Sequence, residues 1–399
     1  MEASGEARRQ RRLEARRRTV IRRRRVAAAA VAGLASIAGA IVGSAAGGED
    51  SPAGEPAASE PRCPPEIAAD PRRLAGQTLV VRMEDEATDD LVRAARRGEI
   101  GGVIIFPVAL DDPADLVPEL ERLQGASRRG GNPPLLVMTD QEGGGVKRFP
   151  TAPPQRAPVQ LGESGTPRDS RLEGQATGNF LAGIGINVDL APVVDVPELE
   201  ESAMAPRAFG DEPGTVTRLG LAFGHGLREE GVEAAPKHFP GLGRATISTD
   251  AGAVTIEARR AQLRRDLAPF EKAVAQGFGL IMVGLAAYPA LGSDQPAALS
   301  GELVDGLLRE DLGFDGVAIT DDLEAPAVTG AGYDERQAAV AASRAGVDLL
   351  LYALGGGEDA LEGLVRAASR GRLESATLEA SCARITALKA ALGPAAPSG

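Results

Sequence analysis

The sequence has 399 residues, of which 43% are hydrophobic and 25% are charged, a composition typical of a globular protein rather than a disordered one. The net charge of −12 hides an asymmetry: residues 1–25 contain eleven Arg and three Glu, so the remaining chain carries a net charge of about −20. An acidic body with no Trp and three Tyr argues against nucleic acid as the main partner.

The N-terminal region combines a basic segment, residues 1–25, with residues 26–48, which contain no charged side chain. The uncharged stretch is long enough to span a bilayer, with the Arg cluster on the cytoplasmic side. Two interpretations are open: a signal peptide cleaved near residues 44–48, or an uncleaved membrane anchor. A soluble Ala-rich helix is the alternative to both. Residues 49–65, rich in Pro, Ala, Glu and Ser, are expected to form an extended linker, which leaves residues 66–399 as an extracytoplasmic domain, anchored or secreted.

The two cysteines, Cys63 and Cys382, are too far apart for a CxxC redox or zinc motif. With two His in the chain, a His/Cys metal site is not expected, and no cofactor is indicated. In an extracytoplasmic domain, a disulfide between the two cysteines would tie the start of the domain to its last helix. Two buried thiols are the alternative.

Apolar runs of strand length alternate with helical patterns from residue 78 onward. The runs are rich in Val, Ile and Leu without strict alternation, which is typical of parallel strands covered on both faces. The eight predicted strands are Thr78–Arg82, Gly102–Phe106, Leu135–Thr139, Asn187–Pro192, Ala234–His238, Leu280–Val283, Gly316–Thr320 and Val347–Leu351. The predicted helices are Ala114–Leu123, Val216–Glu230, Ala258–Ala275, Gly301–Asp311, Asp334–Ala345 and Gly356–Ala368. This alternation predicts a single α/β domain with a (β/α)₈ barrel, and an open doubly wound sheet is the alternative.

Polar groups cluster directly after four of the predicted strands, where a barrel places its active site. The third strand leads into the segment 140–148, the fourth carries Asp189 and leads to Asp195, the fifth ends in Lys237-His238, and the seventh in Asp321-Asp322. A loop broken by Pro and Gly runs from Lys237-His238 to Asp250 and suits a mobile ligand site. An ordinary strand-to-helix loop, with His238 as a core residue, is the alternative.

Carboxylates with Arg and Lys around one opening suit a neutral polyhydroxylated ligand, because charged groups make strong hydrogen bonds to hydroxyls. Cleavage of a glycosidic bond needs a carboxylate nucleophile and a proton donor. Asp321 is the best candidate nucleophile, although Asp321-Asp322 could instead cap a helix. Asp140 and Arg148 flank three glycines that let the backbone approach a ligand closely, whereas Arg207 could bind substrate or lie on the surface.

Taken together, these segments resemble glycoside hydrolase family 3, specifically the single-barrel bacterial β-N-acetylglucosaminidases. The resemblance runs from about Leu79 to Leu354. It is carried by four segments and their order: residues 140–144 (DQEGG) with Arg148, 207–210 (RAFG), 237–241 (KHFPG), and 312–323, which includes TDDL.

The resemblance implies roles for individual residues. Asp321 matches the nucleophile that forms a covalent glycosyl-enzyme. A further five residues match those that bind the terminal sugar: Asp140, Arg148, Arg207, Lys237 and His238. The implied substrate is N-acetylglucosamine-containing material such as peptidoglycan fragments.

The sequence departs from the family at the acid/base. The family uses a loop His paired with an Asp two residues earlier, and here the segment reads Asp250-Ala251-Gly252, so Asp250 is kept while Gly252 replaces the His. The resemblance also implies a His at the position of Leu242 and another after the sixth strand, at the position of Leu285. Two hypotheses follow: a retaining exo-glycosidase whose acid/base is compromised or relocated, with Asp250 as a candidate acid, or a catalytically silent sugar-binding or scaffold protein.

Overall fold

The computed structural model describes residues 62–108, 110–198, 201–355 and 357–393. The predictions for residues 1–25 and 26–48, and for most of the linker 49–65, lie outside this part of the chain. Within it, no helix combines the length and apolarity needed to cross a membrane.

Six strands form one parallel sheet: β1 (Leu79–Met83), β2 (Gly102–Ile105), β3 (Leu136–Thr139), β6 (Val188–Asp189), β7 (Glu233–Ala234) and β12 (Leu350–Tyr352). Their order across the sheet is β12-β1-β2-β3-β6-β7. A second parallel pair consists of β8 (Leu280–Val283) and β11 (Val317–Thr320). Each of the eight predicted runs overlaps one of these strands, so the predicted parallel sheet is confirmed.

Isolated parallel bridges lie between the larger sheet and the β8–β11 pair. Phe239 bridges to Val283 at the end of β8, and Ile319 in β11 bridges to Leu349, just before β12. Two short antiparallel hairpins complete the strands: β4 (Gln141–Gly143) with β5 (Val146–Lys147), and β9 (Ala287–Tyr288) with β10 (Ser293–Pro296).

Helices follow most of the strands. They are α1 (Pro65–Ala68), α2 (Pro71–Gly76), α3 (Asp89–Arg97), α4 (Leu116–Arg129), α5 (Pro158–Ser164), α6 (Pro167–Gly183), α7 (Pro213–Glu229), α8 (Arg260–Ala275), α9 (Pro326–Gly330), α10 (Glu335–Ala345), α11 (Glu358–Ser369) and α12 (Ser375–Leu392). A π-helical segment, Glu302–Asp311, precedes β11. The six predicted helices all overlap observed ones. No bounds were predicted for the other helices: α1, α2, α3, α5, α6, α9 and α12.

The strands are covered on both faces, which explains their unbroken apolar sequences. One buried cluster joins alternate strand residues, such as Val80, Ile104 and Met282, with Ile385 and Leu388 of α12. The intervening strand residues belong to a larger buried cluster that includes apolar side chains of the surrounding helices. A disulfide links Cys63 to Cys382 in α12, so the expected bond between the two cysteines is confirmed.

Candidate active site

A cavity of about 360 Å³ lies at the carboxyl ends of the strands. All seven residues predicted from the sequence line it: Asp140, Arg148, Arg207, Lys237, His238, Asp250 and Asp321. A larger cavity of about 600 Å³, lined by α10 and α11, contains none of them. The smaller cavity is therefore the candidate active site.

A buried ion-pair cluster forms one wall. Lys237 Nζ lies 2.8 Å from Asp140 Oδ1 and 2.7 Å from Glu142 Oε1. Arg148 donates to Asp140 Oδ2 at 2.9 Å, and Arg207 donates to both oxygens of Glu142 at 2.6 and 2.9 Å. Three cations thus surround two carboxylates, and each carboxylate accepts from two of them.

The mutual contacts set the charge states of this cluster. Burial by itself would raise the pKa of Asp140 and of Glu142, but Lys237 lowers both, helped by Arg148 at Asp140 and by Arg207 at Glu142, so both pKa values fall below their ordinary range. Burial would lower the pKa of Lys237, yet the two carboxylates raise it to about 12. The cluster is therefore fully charged near neutral pH and presents fixed donors and acceptors to a ligand.

Glu142 was not predicted as a site residue. Asp140 and Glu142 are two positions apart, and in extended chain such residues face the same side, which is the signal that could have identified it. Between them, the Gln141 amide donates to the carbonyls of Phe149 and Pro153 at 3.0 and 2.8 Å. These bonds fold the β4–β5 hairpin back, so that Arg148 reaches Asp140.

His238 is held by Asp195. His238 Nδ1 lies 2.7 Å from Asp195 Oδ2, while Asp195 Oδ1 accepts the backbone N–H groups of His238 and Leu242 at 3.2 and 2.6 Å. With Nδ1 bound to a carboxylate, Nε2 is the ring nitrogen left for a ligand. Asp195 therefore orients the ring and fixes the start of the loop.

Asp321 follows β11 directly. Its backbone N–H donates to the Val283 carbonyl at 2.9 Å, and Oδ1 accepts from the Asp322 N–H at 2.9 Å. Burial raises the pKa of Asp321 and the charge of Asp250 adds to this rise, whereas the charge of Lys237 opposes it. The alternative that these aspartates cap a helix is not supported, because the N-cap position of α9 is Ala325.

Asp322 also lines the cavity, although continued strand geometry would have turned it away. The strand ends at Thr320, which allows both carboxylates to face the opening. Asp322 Oδ1 accepts the N–H groups of Glu324 and Ala353, both at 3.1 Å. Burial raises the pKa of Asp322 to about 7.

Asp250 lies on the exposed outer side of the cavity. Its Oδ2 accepts from the Ser248 hydroxyl at 3.0 Å, and the Thr249 carbonyl accepts from Ala327 N–H at 3.1 Å, which ties the loop to α9. At Gly252, an added Cβ would have Ile247 Cδ1, at 3.9 Å, as its single neighbour within 4 Å. The position could therefore hold a side chain without a clash.

Comparison with known proteins identifies the family. Residues 73–388 match the glycosyl hydrolase family 3 N-terminal domain. An uncharacterised secreted glycosyl hydrolase of Arthroderma benhamiae is 35% identical over 343 residues, which cover 82% of this chain and 96% of that protein. The β-hexosaminidase LpqI of Mycobacterium tuberculosis is 32% identical over 331 residues, 80% of this chain and 82% of the relative.

Solved structures agree with the sequence match. A glycoside hydrolase family 3 β-N-acetylglucosaminidase from Paenibacillus sp. str. FPU-7 superposes with a TM-score of 0.78 and 32% identity, covering 82% of this chain and 64% of that protein. The chain therefore belongs to glycoside hydrolase family 3, as a β-N-acetylhexosaminidase-type glycoside hydrolase that acts on O-glycosyl bonds.

Proposed function

We propose that the protein is a retaining exo-glycoside hydrolase that removes non-reducing-end β-N-acetylglucosamine from N-acetylglucosamine-containing glycans of the cell-wall type. The observation that carries this proposal is that Asp321 lines the same cavity as the charged cluster. The cluster and His238 would bind the sugar hydroxyls, and Asp321 would lie beside the anomeric carbon.

Catalysis would proceed in two steps. An Asp321 oxygen forms a bond to the anomeric carbon while the bond to the leaving oxygen breaks and that oxygen gains a proton. Water then attacks the anomeric carbon and loses a proton, and the bond to Asp321 breaks. Because Asp321 must be ionised for the first step, its raised pKa means that the rate falls as the pH drops through that pKa.

The group that protonates the leaving oxygen is not the family's loop His, because position 252 is Gly. We keep Asp250 as the candidate acid on the loop, because its side chain lines the cavity. Asp322, with its pKa raised to about 7, also lines the cavity and could hold a proton. The Gly at position 252 is the observation that favours the second candidate function, a catalytically silent sugar-binding protein.

We further infer that the eight parallel strands close into a (β/α)₈ barrel, a proposal supported by the bridges from Phe239 to Val283 and from Ile319 to Leu349. An extracytoplasmic location, with residues 26–48 as signal peptide or membrane anchor, is supported by the Cys63–Cys382 disulfide and by a relative described as secreted.

Hydrolysis of an activated aryl β-N-acetylglucosaminide tests the proposed activity. We expect the wild-type protein to release the phenol, and Asp321→Ala to lower kcat/KM by about 10³-fold or more, as for other catalytic nucleophiles. Asp294→Ala, which removes an exposed aspartate on β10, is the matched control and should behave as wild type. If wild type and Asp321→Ala are equally inert while both bind N-acetylglucosamine, the silent function is correct.

A further inference from the structure

Large apolar side chains are exposed at only four positions in the described part of the chain. They are Val108, Leu172, Ile247 and Leu354, with exposed fractions of 66%, 51%, 48% and 64%. Leu172 lies on α6, whereas the other three lie on loops beyond the carboxyl ends of strands. Exposed apolar groups that gather near a cavity, rather than scatter over the surface, indicate a binding surface.

These three residues belong to loop segments that line the candidate active site. Leu354 itself lines the cavity, Val108 follows the cavity-lining Phe106 by two residues, and Ile247 directly precedes the cavity-lining Ser248. We call Val108, Ile247 and Leu354 the apolar rim.

The rim is held by hydrogen bonds from its own backbone. The Leu354 N–H donates to Glu324 Oε2 at 2.7 Å, and the Val108 N–H donates to Asp85 Oδ1 at 2.8 Å. The side chains of Val108 and Leu354 are therefore exposed on anchored backbone, because the carboxylates of Asp85 and Glu324 hold the main chain at these two positions.

Charged and polar groups are buried inside the cavity, while its exposed side carries both Asp250 and Leu354. Lys237, Glu142 and His238 are almost fully buried and supply charged or polar atoms, whereas Leu354 is mostly exposed. A sugar bound through its hydroxyls would occupy the polar interior, so the group attached through the scissile bond would leave past the rim.

We propose that the apolar rim binds the group attached through the scissile bond, so that among N-acetylglucosaminides those whose leaving group presents more apolar surface bind more tightly. This inference rests on one part of the proposed function, the binding of N-acetylglucosamine in the cavity interior, and does not require hydrolysis. Contact with the rim removes apolar area of both partners from water, which strengthens binding in proportion to the area covered.

A series of 4-alkylphenyl 1-thio-β-N-acetylglucosaminides tests the proposal through binding alone, because the thio linkage resists hydrolysis. Lengthening the alkyl group from methyl to pentyl changes the apolar area and leaves the sugar and the linkage unchanged. We expect the Kd of the wild-type protein, measured by calorimetry, to fall by about 10-fold from the methyl to the pentyl compound. In Leu354→Ser the fall in Kd from methyl to pentyl should be less than about 3-fold. The control is Leu172→Ser, which replaces an exposed leucine away from the cavity and should show the same fall in Kd as the wild-type protein.

The outcomes separate the inference from the proposed function. A Kd independent of alkyl length, or a length dependence that survives in both Leu354→Ser and Ile247→Ser, overturns the rim proposal. Binding of wild type but not Leu354→Ser to phosphatidylglycerol vesicles, without a length dependence for the thioglycosides, would assign the rim to a lipid surface and also overturn it. Hydrolysis of the activated aryl glycoside, measured separately, reports on the proposed function alone.

Discussion

At the scale of single residues, Glu142 is the carboxylate on which the charged wall of the site depends. It is almost fully buried and accepts from both Lys237 and Arg207. Removing one member of a buried ion pair leaves the remaining charge without compensation, which costs far more than the loss of an exposed pair.

We expect Glu142→Ala to lower the free energy of unfolding by about 3 kcal/mol, because Arg207 loses its carboxylate partner and Lys237 keeps only Asp140. Urea unfolding followed by circular dichroism measures this change. Asp359→Ala is the control, since it breaks the half-exposed pair with Arg336 and should change the free energy of unfolding much less. Equal effects of the two substitutions would contradict the idea that the cluster acts as a buried ionic unit.

At the scale of elements, the loop from Lys237 to Gly252 contributes two groups of residues to the site, one at its start and one near its end. His238 is fixed by Asp195 at its start, while Ser248, Thr249 and Asp250 line the cavity near its end. The hydrogen bond from Ala327 to Thr249 joins this loop to α9, the helix that follows Asp321. A side chain introduced late in this loop would therefore be presented next to the cavity.

Gly252→His should supply the acid/base that the family pattern places two residues after the loop aspartate. The substitution is sterically possible, because the φ angle of Gly252 is not positive and its Cβ position is open. We expect kcat/KM to rise by about 10²-fold for leaving groups of high pKa and to change little for nitrophenyl substrates. The slope of log kcat/KM against leaving-group pKa measures this difference.

The control for this gain is Gly252→Gln, which adds a polar side chain of similar size but no group that titrates near neutral pH. If Gln produced the same gain as His, the effect would come from substrate contact rather than proton transfer. If neither changed the slope, position 252 would not lie near the leaving oxygen.

The strands and the ends of strands were the parts of this molecule that the sequence could predict. Strands such as β8 are buried on both faces, so their apolar runs are continuous and short. Helix α6 was missed because glycines interrupt its apolar pattern: a Cβ at Gly174 would lie 2.1 Å from the Phe223 carbonyl oxygen of α7, so close packing of the two helices requires Gly.

The contacts between charged side chains from different strands could not be predicted from the sequence. Lys237 and Glu142 are far apart in the chain, and nothing in the local pattern of either residue indicates that one neutralises the other. The same holds for Asp195, which was noted at a strand end but whose bond to His238 depends on the arrangement of neighbouring strands. Local patterns thus place groups at an end of the sheet, and the tertiary structure decides which of them meet.

At the scale of the whole molecule, α12 covers the end of the sheet opposite the site. Arg384 donates to Asp348, just before β12, and Lys389 Nζ lies 3.1 Å from Gln77 Oε1, just before β1. Leu388 belongs to the smaller buried cluster, which includes alternate residues of the strands. The disulfide joins this helix to Cys63, 319 residues earlier and ahead of the first helix of the domain.

A bond that closes so long a loop restricts the unfolded chain strongly, so its removal should destabilise the folded domain by roughly 2–5 kcal/mol. We expect the double variant Cys63→Ser/Cys382→Ser, and reduced wild-type protein, to unfold at lower urea concentration than oxidised wild type. Addition of a reductant should not change the double variant further, which controls for effects of the reductant itself.

Because α12 lies at the far end from Asp321, kcat/KM for the aryl substrate at 25 °C should stay within about twofold of wild type, as expected when distant sites act independently. If kcat/KM fell while the unfolding midpoint stayed unchanged, we would conclude instead that a shift of α12 alters the geometry of the site through the strands.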